Sequence, residues 1–304
     1  MVRPRHFGFN AQTAVTNRFQ HPGAEGRSAA AEVAERALRE FDAFAAALAA
    51  EGVTVCVAPD SEAPPKPDAV FPNNWVSFHA DGTVVLYPMH AENRRAERRQ
   101  EIIDTAVRET GFKVRRVLDL TAHEKAGRFL EGTGSLVLDH VARVAYACRS
   151  PRTDESVAVE WAREMGYSLE LFAAADESGT PIYHTNVLLH VGTRITVAAL
   201  DAIAPADRGR VEQRLRDSGR ELLAIDHAEM RAFAGNMLEV GSWDEYLGDF
   251  TILVMSETAR HALATAKYVR LYSSVDALLA VPVEVIERHG GGSVRCMLAE
   301  VFLP

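Results

Sequence analysis

Apolar positions along the chain switch between a helical period of about 3.6 residues and a strand period of two, and this switching sets the element order. The alanine- and leucine-rich stretch Ala29–Ala50 has the spacing of an amphipathic helix, and Val53–Ala58 then reads as a strand. Ala69–His79 and Thr83–Tyr87 form a predicted strand pair joined by Ala80-Asp81-Gly82, where Asp-Gly is a hairpin signal. A charged helix follows from about Ala91 to Glu109. Ser135–Leu138 and Val141–Cys148 give another strand pair, followed by a helix from about Thr153 to Met165. Tyr183–His190 and Ile195–Ala199 pair across Gly192-Thr193, with helices near Pro205–Ser218 and Ala228–Ala234. The order strand, strand, helix, strand recurs, and five such units would occupy about 61 residues each. The repetition lies in element order, not in residue identity. Glu62-Ala63-Pro64-Pro65-Lys66-Pro67 reads as a stiff approach to a strand, and no long linker interrupts the pattern. The expectation is one α/β domain spanning residues 1–304.

Composition narrows what such a domain does. With 304 residues, 47% hydrophobic and 25% charged, the chain can bury a substantial core. A net charge of −9 argues against a nucleic-acid surface, so Arg94, Arg95, Arg98 and Arg99 read as the solvated face of a helix. The basic opening Met1–Gly8 has no apolar run behind it, and the alanine-rich stretch near Ala43–Ala50 is too short to span a bilayer. A cytoplasmic protein without a membrane partner is expected. Cys56, Cys148 and Cys296 leave at least one thiol unpaired and show no CxxC spacing, which points away from a disulfide framework or a structural zinc site.

Candidate chemistry then gathers at a few polar positions. Cys296 lies beyond Gly290-Gly291-Gly292 and beside Arg295, where a thiol can be held close to backbone and partly ionised. Taken alone it is equally a buried, inert residue on a C-terminal strand with Met297, Leu298 and Val301. Glu131 sits between Phe129-Leu130 and Gly132-Thr133-Gly134-Ser135, a small-residue turn open to a ligand. Strand alternation in Tyr183–Leu189 puts His184 and Asn186 on the same side. Asp68, Asn73 and Asn74 lie in Pro67–Trp75. Singly, a strand histidine is an ordinary core residue and an Asn-Asn pair an ordinary turn.

Together, Phe129-Leu130-Glu131-Gly132, the His184-x-Asn186 pair and the glycine-rich approach to Cys296 resemble the guanidino-group-modifying enzymes, the amidinotransferase or pentein superfamily. Pro67-Asp68-Ala69-Val70-Phe71 and Ser150-Pro151-Arg152-Thr153 are similar to two strings of its hydrolases. Within it the chain looks most like the citrulline-utilisation hydrolases, or citrulline ureidases, through Phe7-Gly8-Phe9-Asn10, Thr13–Phe19 and Pro72-Asn73-Asn74-Trp75. The resemblance implies a five-bladed α/β propeller of ββαβ pseudo-repeats, the pentein fold, around a central cavity. It implies no metal and no cofactor, and by family analogy a homo-oligomer.

The family mechanism implies roles for residues present here. Cys296 would attack the carbon of a guanidino or ureido group, His184 would protonate the leaving amine and then activate water, and Glu131 would orient the imidazole. Deiminases grip the guanidinium with two carboxylates, and the matching positions here hold Asn74 and Asn186. An amide offers both an acceptor and a donor, which suits a neutral ureido group, whereas a buried guanidinium without carboxylates is costly. Asp68 is a candidate for a substrate nitrogen and Arg152 for its α-carboxylate. Asn10, Asn236 and Arg295 are further candidates, Arg295 for depressing the thiol pKa. The expected activity is hydrolysis of citrulline to ornithine, ammonia and carbon dioxide. Arginine dihydrolysis is the nearest alternative, followed by deimination and amidino transfer. A propeller without chemistry is the reading of another class, since fold alone establishes no activity.

Overall fold

Hairpins and crossover helices alternate in the computed structural model of the protein, which describes residues 1–23, 27–244 and 248–302. A short parallel pair comes first, β1 (Val2–Arg3) with β2 (Ala58–Pro59), and helix Arg27–Ala50 runs between them. Four three-stranded sheets follow. They are β3 (Val76–Phe78), β4 (Thr83–Leu86) and β5 (Arg116–Asp119); β6 (Leu136–Asp139), β7 (Val144–Arg149) and β8 (Ser168–Ala173); β9 (Leu189–Val191), β10 (Ile195–Ala198) and β11 (Glu221–Ala224); and β12 (Leu238–Asp244), β13 (Gly248–Ser256) and β14 (Ala277–Val281). In each, the first two strands are antiparallel and the third returns parallel to the second, which lies in the middle. A parallel return needs a crossover, and a helix supplies it every time. The predicted α/β repeat is therefore present as four ββαβ modules and one shorter βαβ unit.

Local chemistry explains the elements. Ala37, Phe41, Phe44 and Leu48 are all buried, three or four residues apart, so they share one face of the first long helix. Asp154 caps helix Glu155–Met165 by accepting from Ser156 and Val157 N–H, and Gly166 ends it in a left-handed conformation. Asp81 Oδ1 accepts from Thr83 N–H at 2.9 Å, closing the predicted Asp-Gly turn.

Four expectations need correction. The charged stretch near Ala91–Glu109 is a 3-10 segment, Glu92–Glu97, followed by helix Gln100–Thr110. Of the predicted strand Val53–Ala58 only Ala58 pairs, in a two-residue strand with Pro59. The runs Ala69–His79 and Tyr183–His190 contain 3-10 turns, Pro72–Asn74 and Thr185–Val187, and strand begins only beyond them. His184 and Asn186 thus share no strand face. The helix expected from about Thr153 starts at Glu155, after its cap Asp154. Turns of this kind are set by contacts with other modules, which a period count does not see.

No helix among the described residues is long and apolar enough to cross a membrane. Three deeply buried histidines, His79, His184 and His190, are each pushed down to about 4 by burial. The unfolded chain binds those protons from about pH 6.5 downward, so stability falls as pH drops through the window from 6.5 to 4. Burial also pushes Glu97 up, against its Arg94 partner, which works against the histidines in sign. The expected result is a lower urea midpoint at pH 5 than at pH 7; an equal or higher midpoint would contradict it.

Candidate active site

Each module enters its first strand through a tight turn, and successive turns touch. Asn74 ends the turn before β3, and Glu131 precedes the one-turn helix Gly132–Ser135 before β6. His184 precedes the turn that carries Asn186 into β9. Asn236 N–H bonds Phe233 O at 2.8 Å before β12, and Cys296 N–H bonds Ser293 O at 2.9 Å. Asn73 Nδ2 donates to Thr133 Oγ1 at 3.2 Å, Thr185 Oγ1 to Ser135 O at 2.6 Å, and Asn236 Nδ2 to Asn186 O at 3.0 Å. Pseudo-repeats far apart in sequence thereby bring one functional side chain each to a common place.

Gly132 and Gly134 make this contact possible. A Cβ on Gly132 would lie 2.1 Å from Asn73 O, and one on Gly134 would lie 2.5 Å from Asn74 Nδ2 and 2.8 Å from the His184 ring. The small residues thus admit the neighbouring turns, where the sequence suggested a ligand. Gly134→Ala is expected to displace the imidazole, cutting kcat by about tenfold or more at a stability cost of about 1–3 kcal/mol. Steady-state kinetics with a denaturant melt checks it; unchanged kcat would contradict the crowding argument.

Cys296 is buried, and its Sγ lies 3.3 Å from Asn236 Nδ2 and 3.5 Å from Asn186 Nδ2. The sulfur therefore sits between two amide donors. His184 Nε2 lies 2.8 Å from Glu131 Oε2. Glu131 is fully buried, and burial alone would raise its pKa. Arg152 at 3.4 Å, the His184 bond and Arg94 at 3.9 Å outweigh that and hold it far below the usual carboxylate range. Glu131 shifts as it would in an ion pair, but burial pushes His184 down to about 4 and keeps it neutral. Nε2–H therefore donates to an ionised carboxylate, and Nδ1 is left as a proton acceptor.

One cavity of about 10 Å³ is lined by Cys296, His184, Asn74, Asp68, Arg94 and Arg152. Asp68 Oδ2 accepts from Asn10 Nδ2 at 2.7 Å and Thr13 Oγ1 at 3.0 Å, while its buried Oδ1 has no partner among the described residues. Arg152 is buried, not on the surface; it donates to Thr16 Oγ1, Thr13 O and Glu131, which leaves one N–H on each terminal nitrogen. Asn17 and Gln20 donate to the carbonyls of Gly291 and Gly290, so residues 10–20 tie Asp68, Arg152 and the glycine loop together. A larger apolar groove of about 810 Å³ passes Leu48, Phe78 and Trp243, and its only thiol, Cys56, is pushed up to about 11 by burial.

The structure also reassigns several residues. Arg94 does not face solvent; it is buried at the cavity, paired with Glu97 at 2.8 Å. Arg95 and Arg98 reach Glu124. Arg295 turns away from Cys296 to Glu300 at 2.8 Å and Leu298 O at 3.1 Å, so it does not serve the thiol. Asn186 contacts the sulfur without lining the cavity. Asn74 Oδ1 is already occupied by Arg94 Nη1 at 2.8 Å, so this amide offers the cavity a donor alone. Sequence reasoning missed Arg94, Glu97, Thr13 and Asn17. Arg94 and Glu97 stand three apart, a pairing signal; Thr13 and Asn17 lie in a string that carried the family likeness.

A family model described as N,N dimethylarginine dimethylhydrolase, eukaryotic, matches residues 3–303. No curated protein matches the chain. Among solved structures, apo ArgZ, an arginine dihydrolase from the ornithine-ammonia cycle in cyanobacteria, has a TM-score of 0.73 at 18% identity, covering 100% of this chain. The chain spans 40% of that protein, and 98% of its N-terminal domain, solved with bound substrate at a TM-score of 0.71 and 18% identity. A dimethylarginine dimethylaminohydrolase adduct with S-methyl-L-thiocitrulline has a TM-score of 0.60 at 19% identity, covering 87% of this chain and 88% of the other. Likeness at these identities establishes the fold.

Proposed function

The chain belongs to the N,N dimethylarginine dimethylhydrolase family, within the pentein superfamily of guanidino-modifying enzymes, and from that premise we propose that it hydrolyses arginine to ornithine through a ureido intermediate. As a family member it is a hydrolase of carbon-nitrogen bonds other than peptide bonds. The carrying observation is the convergence of Cys296, His184 and the unpartnered carboxylate oxygen of Asp68 on one cavity, with amides at Asn74 and Asn186.

In this reading Sγ of Cys296 bonds to the guanidino carbon as its proton passes to Nδ1 of His184. That proton then goes to a terminal nitrogen, which departs as ammonia. Water attacks the S-linked intermediate, gives a proton to His184, and the carbon-sulfur bond breaks to release the ureido group. A second round on the ureido carbon expels the other terminal nitrogen as ammonia and leaves a carbamate, which loses carbon dioxide. Two waters enter per arginine; ornithine, two ammonia and one carbon dioxide leave. Glu131 stabilises the imidazolium formed in each round. Asp68 Oδ1 takes the substrate α-ammonium and the remaining donors of Arg152 take its carboxylate.

Strict citrulline hydrolysis is the second reading, and Asn74 favours it. Its sole offering is a donor, which fits a ureido oxygen better than a guanidinium. Likeness to arginine dihydrolases supports the two-step reading. Mass-spectrometric product analysis with arginine, citrulline and dimethylarginine separates them. Ornithine from arginine and citrulline supports the dihydrolase; ornithine from citrulline alone supports the second reading. Turnover of dimethylarginine only, or of nothing, overturns both.

A further inference from the structure

Arg94 and Glu97 stand behind the reacting groups, and the steps above give Glu97 no task. Both side chains are buried. Arg94 Nε and Nη2 donate to the two oxygens of Glu97 at 2.9 and 2.8 Å, a fork-to-fork pair that fixes the plane of the guanidinium. Nη2 also donates to Phe71 O at 3.2 Å. That orientation aims Nη1 at Asn74 Oδ1, 2.8 Å away.

A guanidinium only donates, so Asn74 must turn its oxygen to Arg94. Its Nδ2 then faces the other way, donating one N–H to Asn73 Oδ1 at 3.1 Å and packing close to Gly134, beside the His184 ring. The second N–H remains for the cavity that Asn74 lines. A flipped amide would set an NH2 against Arg94 Nη1 and leave buried donors unpaired, which is costly.

We propose that Glu97 is a positioning residue which, through Arg94, locks Asn74 as a hydrogen-bond donor and so favours a carbonyl oxygen over an amidinium nitrogen at the reacting carbon. The proposal rests on the cysteine-hydrolase reading above and deepens it. A carbonyl oxygen accepts from Asn74 Nδ2, whereas an amidinium N–H meets donor against donor. Loosening Arg94 lets the amide turn and present its oxygen.

The test compares alkylation of Cys296 by neutral chloroacetamide and by cationic chloroacetamidine, followed by peptide mass spectrometry. Wild type, Glu97→Gln, Asn74→Ser and the double variant are measured, with Glu97→Asp as a second variant should Glu97→Gln not fold. The expected result is a fall of about tenfold in the chloroacetamide-to-chloroacetamidine rate ratio for Glu97→Gln, the size of one lost hydrogen bond. In the Asn74→Ser background the same change has no effect on the ratio, because the residue it acts through is gone. An unchanged ratio in Glu97→Gln and Glu97→Asp, or an equal shift with and without Asn74, overturns the proposal. Turnover of arginine or citrulline by wild type is a separate measurement, so failure of the hydrolase reading is distinguishable from failure of this one.

Discussion

Replacing Cys296 with serine is expected to lower turnover of arginine and citrulline by about 10⁴-fold or more while leaving the fold intact. Sγ is the only thiol facing the cavity beside His184. A hydroxyl there is a far weaker nucleophile, since a neutral imidazole cannot generate appreciable alkoxide. Stability is expected to change little, because serine is of similar size and its oxygen accepts from the amides of Asn186 and Asn236. Cys148 offers no substitute, because burial pushes its thiol up to about 12. Two measurements check this: ornithine and ammonia release, and intact mass of wild type quenched during turnover. An S-linked adduct should appear in the wild type and be absent from the variant. Activity of the variant above about a hundredth of wild type would remove Cys296 from the chemistry.

Glu131→Gln is expected to be almost as damaging, with kcat down by about 10³–10⁴-fold and KM changed much less. The carboxylate does not itself line the cavity; it acts on it through His184, 2.8 Å away. Burial already drives the imidazole toward neutrality, and the Glu131 bond is the largest influence raising its pKa. Without that charge the ring still donates Nε2–H to the amide oxygen but no longer holds a second proton long enough to deliver it to a leaving amine. The substitution also strips a counter-charge from buried Arg152 and Arg94, costing about 3 kcal/mol in stability. Glu131→Asp keeps the charge and is expected to recover part of kcat. Wild-type kcat in a folded Glu131→Gln protein would show that the carboxylate serves only the fold.

Both expectations depend on which groups the fold brings together, and the chain discloses these unevenly. Cys296, His184 and Glu131 could be singled out from the sequence because a near-terminal cysteine, an H-x-N pair and an FLEG string occur together in it. Arg94 was illegible for an electrostatic reason. Of its counter-charges only Glu97 is local; Asp68 and Glu131 come from other segments, so by itself the stretch reads as a run of arginines on a solvated helix face. Asn236 was one further candidate for the cavity, and its 3.3 Å approach to Cys296 gives it a definite contact. Asn74, an amide by sequence, lines the cavity with Cys296 and His184. That it presents a donor alone was unreadable, because its orientation is set by Arg94, twenty residues away.

The sequence by itself determined the repeated order of strand, strand, helix and strand, since hydrophobic period, the Asp81-Gly82 turn and short connections are local properties of the chain. It also determined the residue types available for chemistry. Tertiary structure decided where extended runs break into the turns that carry Asn74 and Asn186, and which glycines the neighbouring turns press against. It decided too which charges are stripped of water, and which face of each amide meets the substrate. Those outcomes depend on contacts between segments tens to hundreds of residues apart, and on desolvation that exists only once the modules have closed on one another.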